Sequence, residues 1–153
     1  MKILSLEDDA AHAGLIRTAL QATGHDVLVV DSGRLAIRHL ETAHVNLLML
    51  DWQVPNVSGF EVLCWARSHI GERIPALVLT CRYREDQLAA MFDAGADDYV
   101  IKPISARVLA ARVNALLRRV YPDSAHNSTC IEAGAYQIDF PSFDGESQQC
   151  PQN

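Results

Sequence analysis

Five short apolar runs, separated by amphipathic stretches, limit the possible folds of this chain most. The runs are KILSL (2–6), DVLVV (26–30), NLLML (46–50), ALVLT (76–80) and DYVI (98–101). Continuously apolar runs of this length are typical of parallel strands that are covered on both faces. The stretches between and after them predict helices at 10–22, 33–43, 58–69, 84–94 and 105–119. Because strand and helix alternate five times, we predict an α/β domain with a five-stranded, parallel, doubly wound sheet and right-handed crossovers.

Composition changes after the last predicted helix. Residues 121–153 contain five acidic residues and no Lys or Arg, so they contribute −5 to a total charge of −6. We predict a first domain, the α/β domain, over 1–120, a polar linker over 121–130 and a short extension over 131–153. The acidic extension is too small to fold alone and has no basic side chain to contact nucleic-acid phosphates.

No apolar run approaches the ~20 residues that a membrane-spanning helix needs. The four Cys show neither zinc-site nor disulfide spacing. We therefore expect a cytoplasmic protein with reduced thiols and no membrane partner.

Polar side chains at the ends of the first, third, fourth and fifth predicted strands are the candidates for a functional site. They are Glu7, Asp8 and Asp9 after the first strand, Asp51 after the third, Thr80 at the end of the fourth, and Lys102 with Pro103 after the fifth. In a doubly wound sheet, ligands bind at the carboxyl ends of the strands, so these groups should converge at one edge. Each residue alone is typical of a turn or a helix cap, and Asp9 is expected to cap the first helix. Four such features at matching strand ends favour a shared site.

Carboxylates this close repel one another unless a cation neutralises them. Mg²⁺ prefers oxygen ligands, so we expect Asp8 and Asp51 to bind it directly and Glu7 to hold its waters. Asp51 can then act as a nucleophile toward a phosphoryl group. Lys102 and Thr80 would stabilise the phosphoryl oxygens.

The motifs LEDD, LLMLDWQVPNVSGFEV, LVLTCR and GADDYVIKP resemble the receiver domain of bacterial response regulators in two-component systems. DDYVIKP and the paired arginines that end the last helix are most similar to the OmpR/PhoB type. The resemblance implies a flavodoxin/CheY-like sheet of order 2-1-3-4-5 and a non-enzymatic switch that a sensor histidine kinase phosphorylates on Asp51. It also implies that the Gln53 backbone carbonyl binds Mg²⁺, that Thr80 and Tyr99 form a switch pair, and that the Lys102–Pro103 bond is cis.

Full-length members of the OmpR/PhoB type carry a winged-helix DNA-binding domain after the linker. GAYQIDF (134–140) resembles the start of that domain, which implies a truncated chain that controls transcription only through a domain absent here. The alternative is a natural single-domain receiver that acts through protein–protein contacts.

Two other functions are less consistent with the same residues. A haloacid-dehalogenase-type phosphatase also uses a strand-end Asp nucleophile, but it needs a second Asp where this chain has Gln53. A flavodoxin-like binder needs a phosphate-cradling loop after the first strand, and Glu7-Asp8-Asp9 would repel an anion.

The resemblance also implies a two-fold homodimer of the phosphorylated form through helix four, strand five and helix five. Asp97 and Asp98 would face Arg112 and Arg119 of the partner. Leu88 and Val108 stand where the family has a basic residue and a Glu. We expect either a hydrophobic contact between them across the two-fold axis or a loss of this dimer.

Overall fold

The sheet is described by a computed structural model that covers residues 1–71, 73–81 and 84–127. Its strands are β1 (Lys2–Leu6), β2 (Asp26–Val30), β3 (Leu47–Asp51), β4 (Ala76–Thr80) and β5 (Asp98–Ile101). All neighbouring strands are parallel, and their order is β2-β1-β3-β4-β5. The predicted fold class and strand order are confirmed. The one shift is in β3, which begins at Leu47 and includes Asp51.

Five helices connect and follow the strands. They are α1 (Ala10–Gln21), α2 (Gly33–Thr42), α3 (Gly59–His69), α4 (Glu85–Asp93) and α5 (Ala106–Val120). Side-chain caps begin most of them, because the first amides of a helix have no partner within the helix. Asp9 and Ser105 are N-caps, and Ser58 with Glu61 forms the predicted capping box. By contrast, Arg84 precedes α4 without a side-chain cap.

Two apolar cores cover the two faces of the sheet. Alternate residues of β3 point to opposite faces, so Leu48 and Leu50 join one core while Leu47 and Met49 join the other. The first core is completed by α2, α3 and the Met91 side chain of α4. The second is completed by α1 and α5. A central strand of this kind is fixed on both sides, and its carboxyl end is Asp51.

Helix α3 starts in close contact with the end of β3. A Cβ atom on Gly59 would lie 2.2 Å from the Asp51 carbonyl oxygen, a distance that backbone atoms cannot accommodate. Gly59 therefore allows the helix to begin directly against the residue that ends the strand. By contrast, a Cβ on Gly14, in α1, would meet nothing within 4 Å.

Helix α5 ends near the amino end of β3, at the edge of the sheet opposite Asp51. Tyr121, just after α5, packs against the second core, and its hydroxyl donates to the Asn46 carbonyl over 3.1 Å. Asn46 directly precedes β3. Pro122–Asn127 then form a 3-10 helix within the segment predicted as a linker. The predicted extension, 131–153, lies outside the described residues.

Within the part of the chain that the structure describes, no helix combines the length and apolarity needed to cross a bilayer.

Candidate functional site

Four polar side chains are buried together at the carboxyl edge of the sheet. They are Glu7 (2% exposed), Asp51 (6%), Thr80 (2%) and Lys102 (9%). Each follows or ends a different strand, and parallel strands bring their carboxyl ends to the same edge. Charged groups at this depth are costly unless they pair, so their contacts determine what the site can do.

Lys102 pairs with two carboxylates at once. Its Nζ donates to Glu7 Oε2 over 2.6 Å and to Asp51 Oδ2 over 3.0 Å. Burial alone lowers the pKa of Lys102, but the hydrogen bonds to the two carboxylates outweigh it and raise the pKa above its ordinary value. The ammonium therefore stays charged. The sequence predicted Lys102 beside Asp51, but its shorter contact with Glu7 was not predicted.

Glu7 is the carboxylate most affected by its surroundings. Burial raises its pKa, and the hydrogen bonds from Lys102 and from the Asp9 amide offset part of this effect. The Asp9 amide donates to Glu7 Oε1 over 3.1 Å, so both Glu7 oxygens have partners. These contacts fix the side chain at the start of α1.

An acidic cluster is present where a metal was predicted. One carboxylate oxygen from each of Glu7, Asp8 and Asp51 lies within 4.8 Å of the others. Asp8 is exposed and the other two are buried, so the cluster opens to solvent on one side. A set of oxygen donors with access to water fits a hard divalent cation such as Mg²⁺. The Gln53 amide donates to Asp51 Oδ1 over 3.1 Å, which places Gln53 beside the cluster.

His12 also lies at this cluster, and sequence reasoning missed it. Its amide donates to Asp9 Oδ1 over 2.9 Å, and this hydrogen bond is the main cause of the lowered pKa of Asp9. Its ring Nδ1 lies 3.5 Å from Lys102 Nζ. The sequence did contain one signal for His12. It lies five residues after Glu7, on the first turn of the predicted helix, and that turn starts at the site.

Thr80 and Tyr99 lie on neighbouring strands. Tyr99 pairs in register with Val78, two residues before Thr80, so both side chains point to the same face of the sheet. The half-buried Tyr99 ring contacts the ring of Phe92 edge to face, with centroids 6.0 Å apart. Phe92 belongs to α4 and is 46% exposed. The Lys102–Pro103 peptide bond that follows β5 is cis.

Only some of the residues predicted for a dimer face are exposed and free of ion pairs within the chain. Asp98 pairs with Arg112 of its own chain over 3.1 Å. Val108 is 46% exposed, whereas Leu88 packs partly buried against the first core. Val108, Arg112 and Arg119 line the same open groove on α5, of about 390 Å³.

Asp97 lies in an ion-pair network that the sequence did not predict. Its carboxylate accepts from Arg73 over 2.8 Å, from Arg67 over 3.3 Å and from the Ala76 amide over 2.9 Å. The Arg67 guanidinium also donates to the carbonyls of Ile74 and Gly95. Burial lowers the pKa of Arg67, and Asp97 offsets part of this effect. Both Asp97 oxygens therefore have partners within the chain.

Comparison with known proteins identifies the family. The sequence pattern of the response regulator receiver domain matches residues 3–114, which include the cluster, Lys102 and both predicted switch residues. This chain belongs to the response regulator receiver family. It is thus the receiver domain of a two-component response regulator, as its motifs predicted.

The relatives of this receiver domain include transcriptional regulators. The phosphate regulon transcriptional regulatory protein PhoB of Rhizobium meliloti is 39% identical over 90% of this chain and 60% of its own length. The response regulator MprA of Mycobacterium leprae is 37% identical over 91% of this chain and 60% of its own length. Both are of the OmpR/PhoB type, which confirms the predicted class. The chain spans about 60% of the length of these curated relatives.

A solved structure shares the fold of this receiver domain. The receiver domain of the Francisella response regulator 1452 superposes with a TM-score of 0.72 at 28% identity, covering 78% of this chain and 98% of that one.

Proposed function

We propose that this receiver domain is a phosphorylation-dependent switch in which Asp51 accepts a phosphoryl group from the histidine of a sensor kinase. The observation that carries the proposal is the double contact of Lys102 with Asp51 and Glu7. It places a buried ammonium at one oxygen of Asp51 and leaves the other oxygen beside an acidic cluster that opens to solvent. Receiver domains work with histidine kinases, and this arrangement suits acceptance of an incoming phosphoryl group.

The transfer follows from the positions of the side chains. An Asp51 carboxylate oxygen attacks phosphorus, a P–O bond forms, and the P–N bond to the kinase imidazole breaks. The leaving nitrogen keeps the bonding electron pair and takes a proton from water. Lys102 can then move from Asp51 to a phosphoryl oxygen, and the Thr80 hydroxyl, buried at the end of β4, can donate to another.

Mg²⁺ is the cofactor that this site fits. Glu7, Asp8, Asp51 and the Gln53 backbone carbonyl would hold it, and when bound it would neutralise the charge of the carboxylates and of the phosphoryl group. The oxygen-only donor set supports this choice. Through its ion pairs with Glu7 and Asp51, Lys102 neutralises part of the charge of the carboxylates.

Tyr99 connects the site to the surface. If Thr80 turns toward the phosphoryl group, space opens on the face of the sheet where Tyr99 lies, and the Tyr99 ring can rotate inward. That rotation would break its contact with Phe92 and change the exposed surface of α4, β5 and α5. We propose that this surface forms the homodimer, with Val108 at an apolar contact and with Arg112 and Arg119 as its basic groups.

The output is proposed from the relatives. Transcriptional regulators of the OmpR/PhoB type suggest control of transcription through a DNA-binding domain that follows the linker. We propose the same domain boundaries: the receiver over 1–120, the linker over 121–130 and the extension over 131–153. The cytoplasm is the proposed location.

Labelling with a small phosphodonor tests the proposal. Acetyl phosphate with Mg²⁺ should add one acid-labile phosphoryl group, and Asp51→Asn should abolish it. Asp31→Asn is the matched control, because Asp31 follows β2 at the same edge of the sheet but outside the acidic cluster. Stoichiometric labelling of Asp51→Asn, or loss of labelling in Asp31→Asn alone, would contradict the assignment.

A further inference from the structure

The loop between β3 and α3, residues 52–58, carries a backbone amide that holds the proposed phosphoacceptor. The Gln53 amide donates to Asp51 Oδ1 over 3.1 Å, while Lys102 donates to Asp51 Oδ2 over 3.0 Å. Each oxygen of the Asp51 carboxylate therefore has its own donor. Because Gln53 lies two residues beyond Asp51, the direction that the chain takes after the strand sets the direction of the carboxylate.

Backbone contacts anchor this loop at its start and near its end. At the start, the Trp52 amide donates to the Leu79 carbonyl over 2.9 Å, so the Trp52 backbone still belongs to the sheet. Near the end, α2 packs against the loop, because a Cβ atom on Gly33 would lie 2.2 Å from the Val57 carbonyl oxygen. The exposed Gln53 lies between these two anchors.

An aromatic contact joins the two ends of the loop. The rings of Trp52 and Phe60 meet edge to face, with centroids 5.0 Å apart and planes at 62°. Aromatic pairs favour this arrangement and this separation. Trp52 also packs against the first core, whereas Phe60, the second residue of α3, is 36% exposed. A side chain this exposed adds little to core packing, and its contact with Trp52 closes the loop.

We propose that Phe60 is a positioning residue of this site: through Trp52 it fixes the Gln53 amide that orients the Asp51 carboxylate. The sheet fixes the Trp52 amide, and the ring contact fixes the rest of Trp52 and so the direction in which the chain enters Gln53. The consequence for phosphoryl transfer rests on the proposed function, in which an Asp51 oxygen attacks phosphorus. Reacting groups must be held closely, since a misplacement of about 1 Å can slow a reaction ~100-fold.

Amide hydrogen exchange in the full chain, measured by NMR, tests the positioning directly. Phe60→Ala should speed exchange of the Gln53 amide by about 3- to 10-fold, the change expected from losing an aromatic pair of this geometry. Exchange of the Trp52 amide should not change, because its partner is the Leu79 carbonyl in the sheet. Phe60→Tyr keeps the ring and should exchange as the wild type does.

The rate of labelling by acetyl phosphate gives a functional measurement. With Mg²⁺ and acetyl phosphate at saturation, Phe60→Ala should label Asp51 about 3- to 10-fold more slowly, and Phe60→Tyr should label at the wild-type rate. Leu35→Ala is the matched control, because Leu35 is also an exposed apolar residue in the first turn of a helix, α2. It should change neither the exchange of Gln53 nor the labelling of Asp51.

The outcomes separate this proposal from the proposed function. Unchanged exchange of Gln53 in Phe60→Ala, or equal acceleration at Trp52 and Gln53, would overturn the positioning role. Faster exchange at Gln53 with labelling at the wild-type rate would overturn its consequence for phosphoryl transfer. If the exchange pattern holds but the wild type is not labelled on Asp51, the proposed function is wrong, while the positioning of the carboxylate is supported.

Discussion

Replacing Gly59 by Ala tests whether close packing at the start of α3 fixes the end of β3. The added methyl group would lie 2.2 Å from the Asp51 carbonyl oxygen, 2.9 Å from the carbonyl carbon and 3.3 Å from Leu50 Cβ. An ordinary carbon–oxygen contact is about 3.3–3.6 Å, so α3 would have to move by roughly 1 Å. β3 cannot move instead, because both of its faces are packed in the cores.

Two opposing effects set the magnitude. Ala in place of Gly stabilises a helix by about 0.5–1 kcal/mol, while overpacking against rigid neighbours costs about 1–3 kcal/mol. Because the obstacle here is backbone rather than a flexible side chain, the cost falls near the upper end. We expect Gly59→Ala to lower the free energy of unfolding by roughly 2 kcal/mol. Gly14→Ala, also in a helix but with open space around it, should raise it by about 0.5–1 kcal/mol.

Urea denaturation of both variants, followed by circular dichroism, measures the difference. With a slope of about 1–3 kcal/mol per molar urea, the Gly59→Ala midpoint should fall by roughly 1 M. A Gly59→Ala protein as stable as Gly14→Ala would refute the packing argument. Beryllofluoride binding gives a second measurement, because a displaced Asp51 should bind this phosphoryl analogue more weakly.

Four further predictions follow from single contacts. Ser5→Ala should raise the free energy of unfolding by about 1 kcal/mol in urea, since the Ser5 hydroxyl is fully buried without a hydrogen-bond partner among the described residues. Mg²⁺ should raise the melting temperature, with about 2.7 kcal/mol of stabilisation at a hundredfold excess over Kd, and Asp8→Ala should abolish the rise in a thermal scan. Asp9→Ala should destabilise the fold at neutral pH but not in acid. The lowered pKa of Asp9 means that its contribution is present above its unfolded pKa and is lost as the pH falls through the folded pKa, which urea titrations across pH would show. Val108→Asp should keep beryllofluoride-activated protein monomeric in sedimentation, whereas a dimer that survives would place the interface elsewhere; Leu88→Asp is a poorer test because Leu88 contacts the core.

The fold was predictable because its signals are local and repeated. Continuous apolar runs predicted all five strands within one residue, and Ser58, Ser105 and Asp9 cap helices as their spacing indicated. The positions of the site residues at strand ends followed from the same pattern, since parallel strands end at one edge. These predictions needed no knowledge of side-chain direction.

What the sequence could not give depends on contacts between distant residues. Arg67 and Asp97 are 30 residues apart, and only the folded chain shows that they form an ion pair. Asp97, which was predicted to face a partner chain, therefore pairs within its own chain. Leu88 was expected at a dimer face from the family resemblance, yet it packs partly buried against the first core. His12 carries no motif, and its approach to Lys102 becomes visible only when the start of α1 and the residue after β5 meet at the carboxyl edge of the sheet.

The Tyr121–Asn46 hydrogen bond sets the distance between the end of α5 and Asp51. Asn46 precedes the first residue of β3 and Asp51 is the last, so the length of one strand separates the Tyr121 contact from Asp51. Five residues at about 3.3 Å each make that separation ~16 Å. Tyr121 is therefore anchored at the amino end of the strand whose carboxyl end carries Asp51, so a change at Asp51 reaches Tyr121 through β3 and the second core rather than by direct contact.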